Sequence, residues 1–214
     1  MQGIIFDFNG TMFFDEDFQV KAWKQFIGEK TGRDISDQEF QDHIHGRPSE
    51  VILNYFLSRP VSRAETERLE EEKEQIYRNL CLNSDVFHLA EGLPQFLDKM
   101  TERGVPMAIA TASGRNNVEF FFEHFQLEKW FDIDRVVYND GTFPGKPEPD
   151  IYLRAAEKLN LDIGDCVVFE DAKSGITAAV RAHAHKVIGV ESMEARDTLL
   201  QWGADDTIRD FRDL

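Results

Sequence analysis

The sequence predicts an α/β protein: a parallel sheet with helices on both faces, interrupted after its first strand by an all-helical segment. Three observations lead there. Short apolar runs at residues 3–8, 106–110, 167–170 and 186–190 end in turn chemistry, as strands buried on both faces do. Segments of helical periodicity separate the later runs, which is the alternation of a parallel sheet. From residue 15 to about 82 the helical signal is unbroken by any strand. The length agrees, since 214 residues are long for one domain and short for two, as a core with an insertion requires.

Each element has its own local reason. The first strand is the run 3–8. The insertion opens with Phe18, Ala22, Trp23, Phe26 and Ile27 on one helical face. Ser36-Asp37-Gln38-Glu39 and Ser62-Arg63-Ala64-Glu65 are capping boxes that start further helices. The run Glu70-Glu71-Glu72-Lys73-Glu74 reads as a solvated face, with Leu69, Ile76 and Leu80 turned inward. After Gly92 the expected order is helix 93–102, strand 106–110, helix 115–125, strand 136–138 and helix 150–159, followed by strand 167–170, helix 174–182 and strand 186–190. This divides the chain into a core of residues 1–13 and 84–214 and a helical subdomain of residues 14–83.

Composition excludes several classes. The formal charge is −16, with 40 acidic against 24 basic residues. A nucleic-acid surface needs the opposite sign, so DNA and RNA are not expected partners. A local lysine or metal can still reverse the field inside a pocket, which leaves small anionic substrates open. Cys81 and Cys166 are no disulfide framework and suit a reducing, cytoplasmic setting. No signal peptide or apolar run of membrane-spanning length is read, so no membrane partner is expected.

Four stretches carry chemistry, in this order: Ile4-Ile5-Phe6-Asp7-Phe8-Asn9-Gly10-Thr11, Ile109-Ala110-Thr111-Ala112-Ser113, Gly145-Lys146-Pro147 and Phe169-Glu170-Asp171. All but the third end a strand-like run, and ligands of parallel sheets gather at the carboxyl ends of strands. Asp7 precedes a Gly-Thr turn that lifts its carboxylate to that edge, as a nucleophile for phosphorus or, more plainly, as a turn or cap aspartate. Glu170 and Asp171 are hard oxygen donors for magnesium, or a capping pair before the next helix. The Thr111 hydroxyl can bond a phosphoryl oxygen. Ser113 is a second candidate for substrate contact, with a helix N-cap as its simpler role. Lys146 can neutralise Asp7 and a phosphoryl group. The pairs His43/His45 and His183/His185 have no further soft ligands nearby in sequence and read as solvated or core histidines. Phe120-Phe121-Phe122 with Phe125 reads as helix packing, while Phe13 and Phe14 suit either a cleft lining or a hinge.

Carboxylate, hydroxyl, lysine and acid pair in that order resemble the haloacid dehalogenase superfamily, close to its β-phosphoglucomutase and sugar-phosphate phosphatase subfamily. Ala22-Trp23-Lys24, the segment from Gly145 to Tyr152 and the segment from Phe169 to Ile176 carry the likeness at residue level. The resemblance implies a Rossmann-like core with a helical cap, and a Mg²⁺-dependent phosphatase acting on a small phosphorylated metabolite, such as a sugar phosphate, through an aspartyl-phosphate on Asp7. Asp7, the Asn9 carbonyl and Asp171 would hold the metal, with Glu170 orienting a coordinated water. Thr111 and Lys146 would stabilise the phosphoryl group. His45-Gly46-Arg47 would form a specificity loop, and Lys73 would reach a distal anionic group.

Two positions depart from the pattern. Asn9 stands where such enzymes carry the general acid and base, and Gln19 where a cap histidine is common. An amide does not titrate usefully, so Asn9 can neither protonate a leaving oxygen nor activate water. Asn9 is either natural or an introduced change that traps a complex. The alternatives are a β-phosphoglucomutase-like mutase and a non-catalytic phosphometabolite-binding protein. Dehalogenation is disfavoured by the intact acid pair, and phosphonate cleavage would need a cap lysine placed to form a Schiff base, for which Lys73 is a distant candidate.

Overall fold

A strand as apolar as β1 (Gly3–Phe6), buried along its whole length, has to lie inside a sheet covered on both faces. The computed structural model describes residues 3–44 and 46–214 and places β1 inside a five-stranded parallel sheet. The other strands are β2 (Met107–Ile109), β3 (Cys166–Glu170), β4 (Lys186–Val190) and β5 (Asp206–Ile208), in the order β2-β1-β3-β4-β5. Chain packing separates two compact units: the segment ending at Phe14 together with His88–Leu214, and Asp15–Phe87.

In the sheet unit the helices are α5 (Leu93–Glu102), α6 (Arg115–Phe125), α7 (Asp150–Leu159), α8 (Lys173–Arg181) and α9 (Arg196–Trp202). One cluster joins Ile5 and Val168 of the sheet to Tyr152, Ala155 and Ala156 of α7 and to Ile176 and Ala179 of α8. Aromatic rings fill the region around β1: Phe6 stacks on Phe169 at 5.2 Å, and Phe8 stacks on Phe121 at 4.3 Å. Phe13 meets Phe125 edge-on at 5.3 Å. The phenylalanine run of α6 is thus core packing, and Phe13 belongs to it while Phe14 is exposed.

The helical unit consists of α1 (Glu16–Thr31), α2 (Asp37–His43), α3 (Ser49–Leu57) and α4 (Arg63–Leu82). Ser36 and Ser62 cap α2 and α4, their hydroxyls accepting from Glu39 N at 3.1 Å and Glu65 N at 3.3 Å. Trp23, Phe26, Ile27, Phe40, Leu53 and Phe56 form its core. His43 stacks on Tyr55 at 3.7 Å.

Three expectations are corrected. Residues 136–138 make only a single parallel bridge, Val137 to Ala110, rather than a strand. The sheet gains α9 and β5, which lie beyond the last expected strand. On α4 the buried stripe runs Leu69, Lys73, Tyr77, Cys81, whereas Ile76 and Leu80 are only partly covered. Lys73 therefore does not belong to a solvated face.

Candidate active site

β1 has β2 on one side and β3 on the other, so the strand order reverses around it, and a crevice opens at the carboxyl ends of such strands. Phe6 is in register with Ile109 and with Phe169. The residues that follow, Asp7, Thr111 and the pair Glu170-Asp171, consequently leave the sheet at one edge. Carboxylate oxygens of Asp7, Glu170 and Asp171 lie within 4.8 Å of one another, the one such grouping of metal-binding side chains among the described residues.

Lys146 joins this group from the loop before α7. Its Nζ donates to Asp7 Oδ1 at 2.5 Å and to Glu170 Oε2 at 2.7 Å, all three side chains being buried. Three carboxylates against one ammonium leave an excess of negative charge out of water. Burial and then repulsion from Glu170 push the Asp7 carboxyl from 3.8 up to about 7, against the pull of Lys146. Burial, then Glu170 and Asp7, likewise hold Asp171 well above the usual carboxylate range. For Lys146, burial opposes the charge, but Asp7 and Glu170 together outweigh it and raise the ammonium above the ordinary lysine value.

Local chemistry fixes each acid. Gly10 has a φ of 79°, and a Cβ there would lie 2.1 Å from Asp171 Oδ2. Only glycine satisfies both the turn and the close approach. Thr11 Oγ1 donates to Asp171 Oδ1 at 3.0 Å. Glu170 presses on the first turn of α8 in the same way, since a Cβ on Gly175 would come within 2.0 Å of its carboxylate. Glu170 Oε1 accepts from Ala172 N at 3.1 Å, and Oε2 accepts from the Tyr152 hydroxyl at 2.5 Å. Asp171 is thus held by a neutral donor, and Glu170 by two neutral donors together with the Lys146 ammonium.

Thr111 is buried, and its Oγ1 accepts from Ser113 N at 3.1 Å. The N-cap of α6 is Gly114, which has no side chain to cap with, so the expected N-cap role of Ser113 is corrected. Its hydroxyl instead donates to Asn9 Oδ1 at 2.7 Å, which turns that carbonyl toward the serine and the amide nitrogen away from it.

The remaining candidates sit in the helical unit. Arg47 is exposed and donates to the Asp42 carbonyl at 3.2 Å, while His45 beside it lies outside the described residues. Lys73 is buried, pairs with Glu74 and donates to Gln19 Oε1 at 2.9 Å. Gln19 Nε2 passes this on to Asp15 Oδ2 at 3.1 Å, where the Tyr77 hydroxyl also donates at 2.7 Å. Lys73 Nζ also lies over the Trp23 and Tyr77 rings, at 5.2 and 5.6 Å. Thr11, Tyr152, Gly175 and the Asp15 network were not singled out for roles in the sequence. Tyr152 carried a usable signal: a tyrosine on the apolar face of a buried helix needs a partner for its hydroxyl.

The chain is similar in sequence and fold to known proteins. A family model of haloacid dehalogenase-like hydrolases matches residues 4–190. A solved structure of a family IA, variant 3 hydrolase of that kind from Entamoeba histolytica is 37% identical, with a TM-score of 0.95, and covers 100% of this chain and 95% of its own. A phosphorylated carbohydrates phosphatase of Thermotoga maritima is 28% identical over 95% of this chain and 92% of its own length. β-Phosphoglucomutase of Bacillus subtilis is 26% identical over 100% of this chain and 92% of its own. The chain belongs to the haloacid dehalogenase-like hydrolases and is an enzyme of that family.

Proposed function

We propose that the protein is a Mg²⁺-dependent phosphatase of small phosphorylated carbohydrates, working through an aspartyl-phosphate on Asp7. The observation that carries this reading is the cluster of buried Asp7 and Glu170 with half-buried Asp171, whose negative charge a single lysine does not balance. A hard dication fits that excess and that set of oxygen donors. Asp7, Asp171 and the Asn9 backbone carbonyl would hold it, with Glu170 orienting a coordinated water, and it would supply positive charge next to the reacting phosphoryl group. The phosphatase named for phosphorylated carbohydrates among the relatives supports the substrate class.

In this reading the Asp7 carboxylate attacks phosphorus, and the bond from phosphorus to the ester oxygen breaks. The Lys146 ammonium and the Thr111 hydroxyl bind the phosphoryl oxygens as charge builds on them. Water then displaces Asp7. Asn9, with its carbonyl held by Ser113, can donate a hydrogen bond to a leaving oxygen but cannot hand over a proton or take one from water. Arg47 and Lys73 are proposed as determinants of which ester is accepted, with Arg47→Ala expected to raise KM at unchanged kcat.

A phosphate-release screen with and without Mg²⁺, run on this chain and on Asn9→Asp, tests the reading. Activated esters that leave as stable anions should be preferred by the Asn9 form. Asn9→Asp should raise turnover of sugar phosphates by roughly 10²-fold or more, the usual worth of a general acid. Release that ignores both Mg²⁺ and Asn9→Asp would remove the proposal, and transfer between two positions of one sugar without net release would favour the mutase.

A further inference from the structure

Tyr152 touches both Glu170 and Lys146, the two charged groups that act on Asp7. It lies on α7, is wholly buried, and sends its hydroxyl to Glu170 Oε2 at 2.5 Å. The same ring lies under the Lys146 ammonium, with Nζ 5.2 Å from its centroid. Glu170 thus has two donors on Oε2, Lys146 and Tyr152, and one, Ala172 N, on Oε1. Only one of the three is free to travel. Lys146 also binds Asp7, and an incoming phosphoryl group competes for its ammonium. Ala172 N is fixed by the backbone, and Tyr152 is fixed by the packing of α7 against the sheet.

We propose that Tyr152 is a positioning residue of this site, its hydroxyl fixing the Glu170 carboxylate and its ring face fixing Lys146. When Lys146 turns toward phosphate, Tyr152 keeps Oε2 occupied, so that Glu170 neither rotates nor is left with a bare oxygen in a dry environment. A phenol suits the task. It supplies a neutral hydrogen bond to the acid and a cation-attracting face to the lysine, whereas a second cation would cancel charge that the metal site needs. Gly175 completes the socket by leaving room for the carboxylate.

The proposal rests on Glu170 and Lys146 acting as described under the proposed function, and the test separates the two. Tyr152→Phe deletes the hydroxyl and keeps the ring, whereas Tyr152→Leu deletes both. Mg²⁺ affinity by titration calorimetry, melting temperature, and kcat and KM with p-nitrophenyl phosphate are compared for these variants, Glu170→Gln and the parent. Loss of a group that orients a metal-site carboxylate typically weakens metal binding 10- to 100-fold. Tyr152→Phe should therefore weaken Mg²⁺ by roughly 10-fold or more and lower kcat in proportion with little change in KM. Tyr152→Leu should lower kcat further. Should Tyr152→Leu fail to fold, the isosteric Tyr152→Phe carries the test alone. Unchanged Mg²⁺ affinity and kcat in Tyr152→Phe, alongside loss in Glu170→Gln, would reduce Tyr152 to packing. Unchanged Mg²⁺ affinity in Glu170→Gln would remove Glu170 from the metal site, and the Tyr152 proposal with it, while loss of Mg²⁺ binding in Asp171→Ala would keep the metal reading.

Discussion

Asp7 and Lys146 share one short hydrogen bond but have unequal parts in the chemistry proposed. Asp7 forms the bond to phosphorus, and Lys146 supplies charge to it. Asp7→Ala should leave no phosphoryl transfer, while Lys146→Ala should lose about 10²–10³ in kcat and keep a measurable remainder. Equal residual rates would mean that Asp7 is not the nucleophile. The shared edge of Asp7, Thr111, Glu170 and Asp171 was legible because strand-ending acids and hydroxyls have a direction in a parallel sheet, whereas Lys146 reaches that edge from a loop. The partners of these residues were not. Thr11, Tyr152 and Gly175 act by where they meet another side chain, and that meeting depends on α7 and α8 packing.

At the scale of elements, the capping boxes were the most legible signal, because a cap is decided within four residues. Ser62 accepts from Glu65 N at the start of α4, and Ser62→Ala should destabilise the protein by about 1 kcal/mol in urea unfolding. No change would mean that water replaces the serine without cost. β1, β2, β3 and β4 were readable as apolar runs, whereas β5 is three residues long with a single buried one, Thr207, and gives no such run. Residues 136–138 look like a strand but meet the sheet at one bridge, since apolar character does not specify pairing. α4 misled for a related reason. Its charge run suggested solvent, yet Lys73 is buried because Gln19, Glu74 and two aromatic rings receive its ammonium. Such a site is assembled from two helices, and neither shows it alone.

For the whole molecule the buried acids set a pH dependence. The folded-state pKa of Asp7 is raised from 3.8 to about 7, so the folded chain holds its proton to higher pH than the unfolded chain does. Stability of the metal-free protein should therefore be greatest below about 4 on this account and decline as pH rises toward 7, with Asp171 adding in the same direction. Asp7→Asn should flatten the decline in thermal melts, and Mg²⁺ should offset it by binding the ionised carboxylates of the folded state. Melts whose slope is the same in Asp7→Asn would assign the effect to the general charge of −16 instead. Asn9 gives the most direct test of the central claim, because without a base to activate water the phosphorylated enzyme should persist. The chain is mixed with Mg²⁺ and p-nitrophenyl phosphate, quenched in acid and analysed by peptide mass spectrometry. The account predicts one phosphoryl group on the peptide containing Asp7, absent from Asp7→Asn and short-lived in Asn9→Asp. Release of phosphate with no label on Asp7, or a label on another residue, would contradict it.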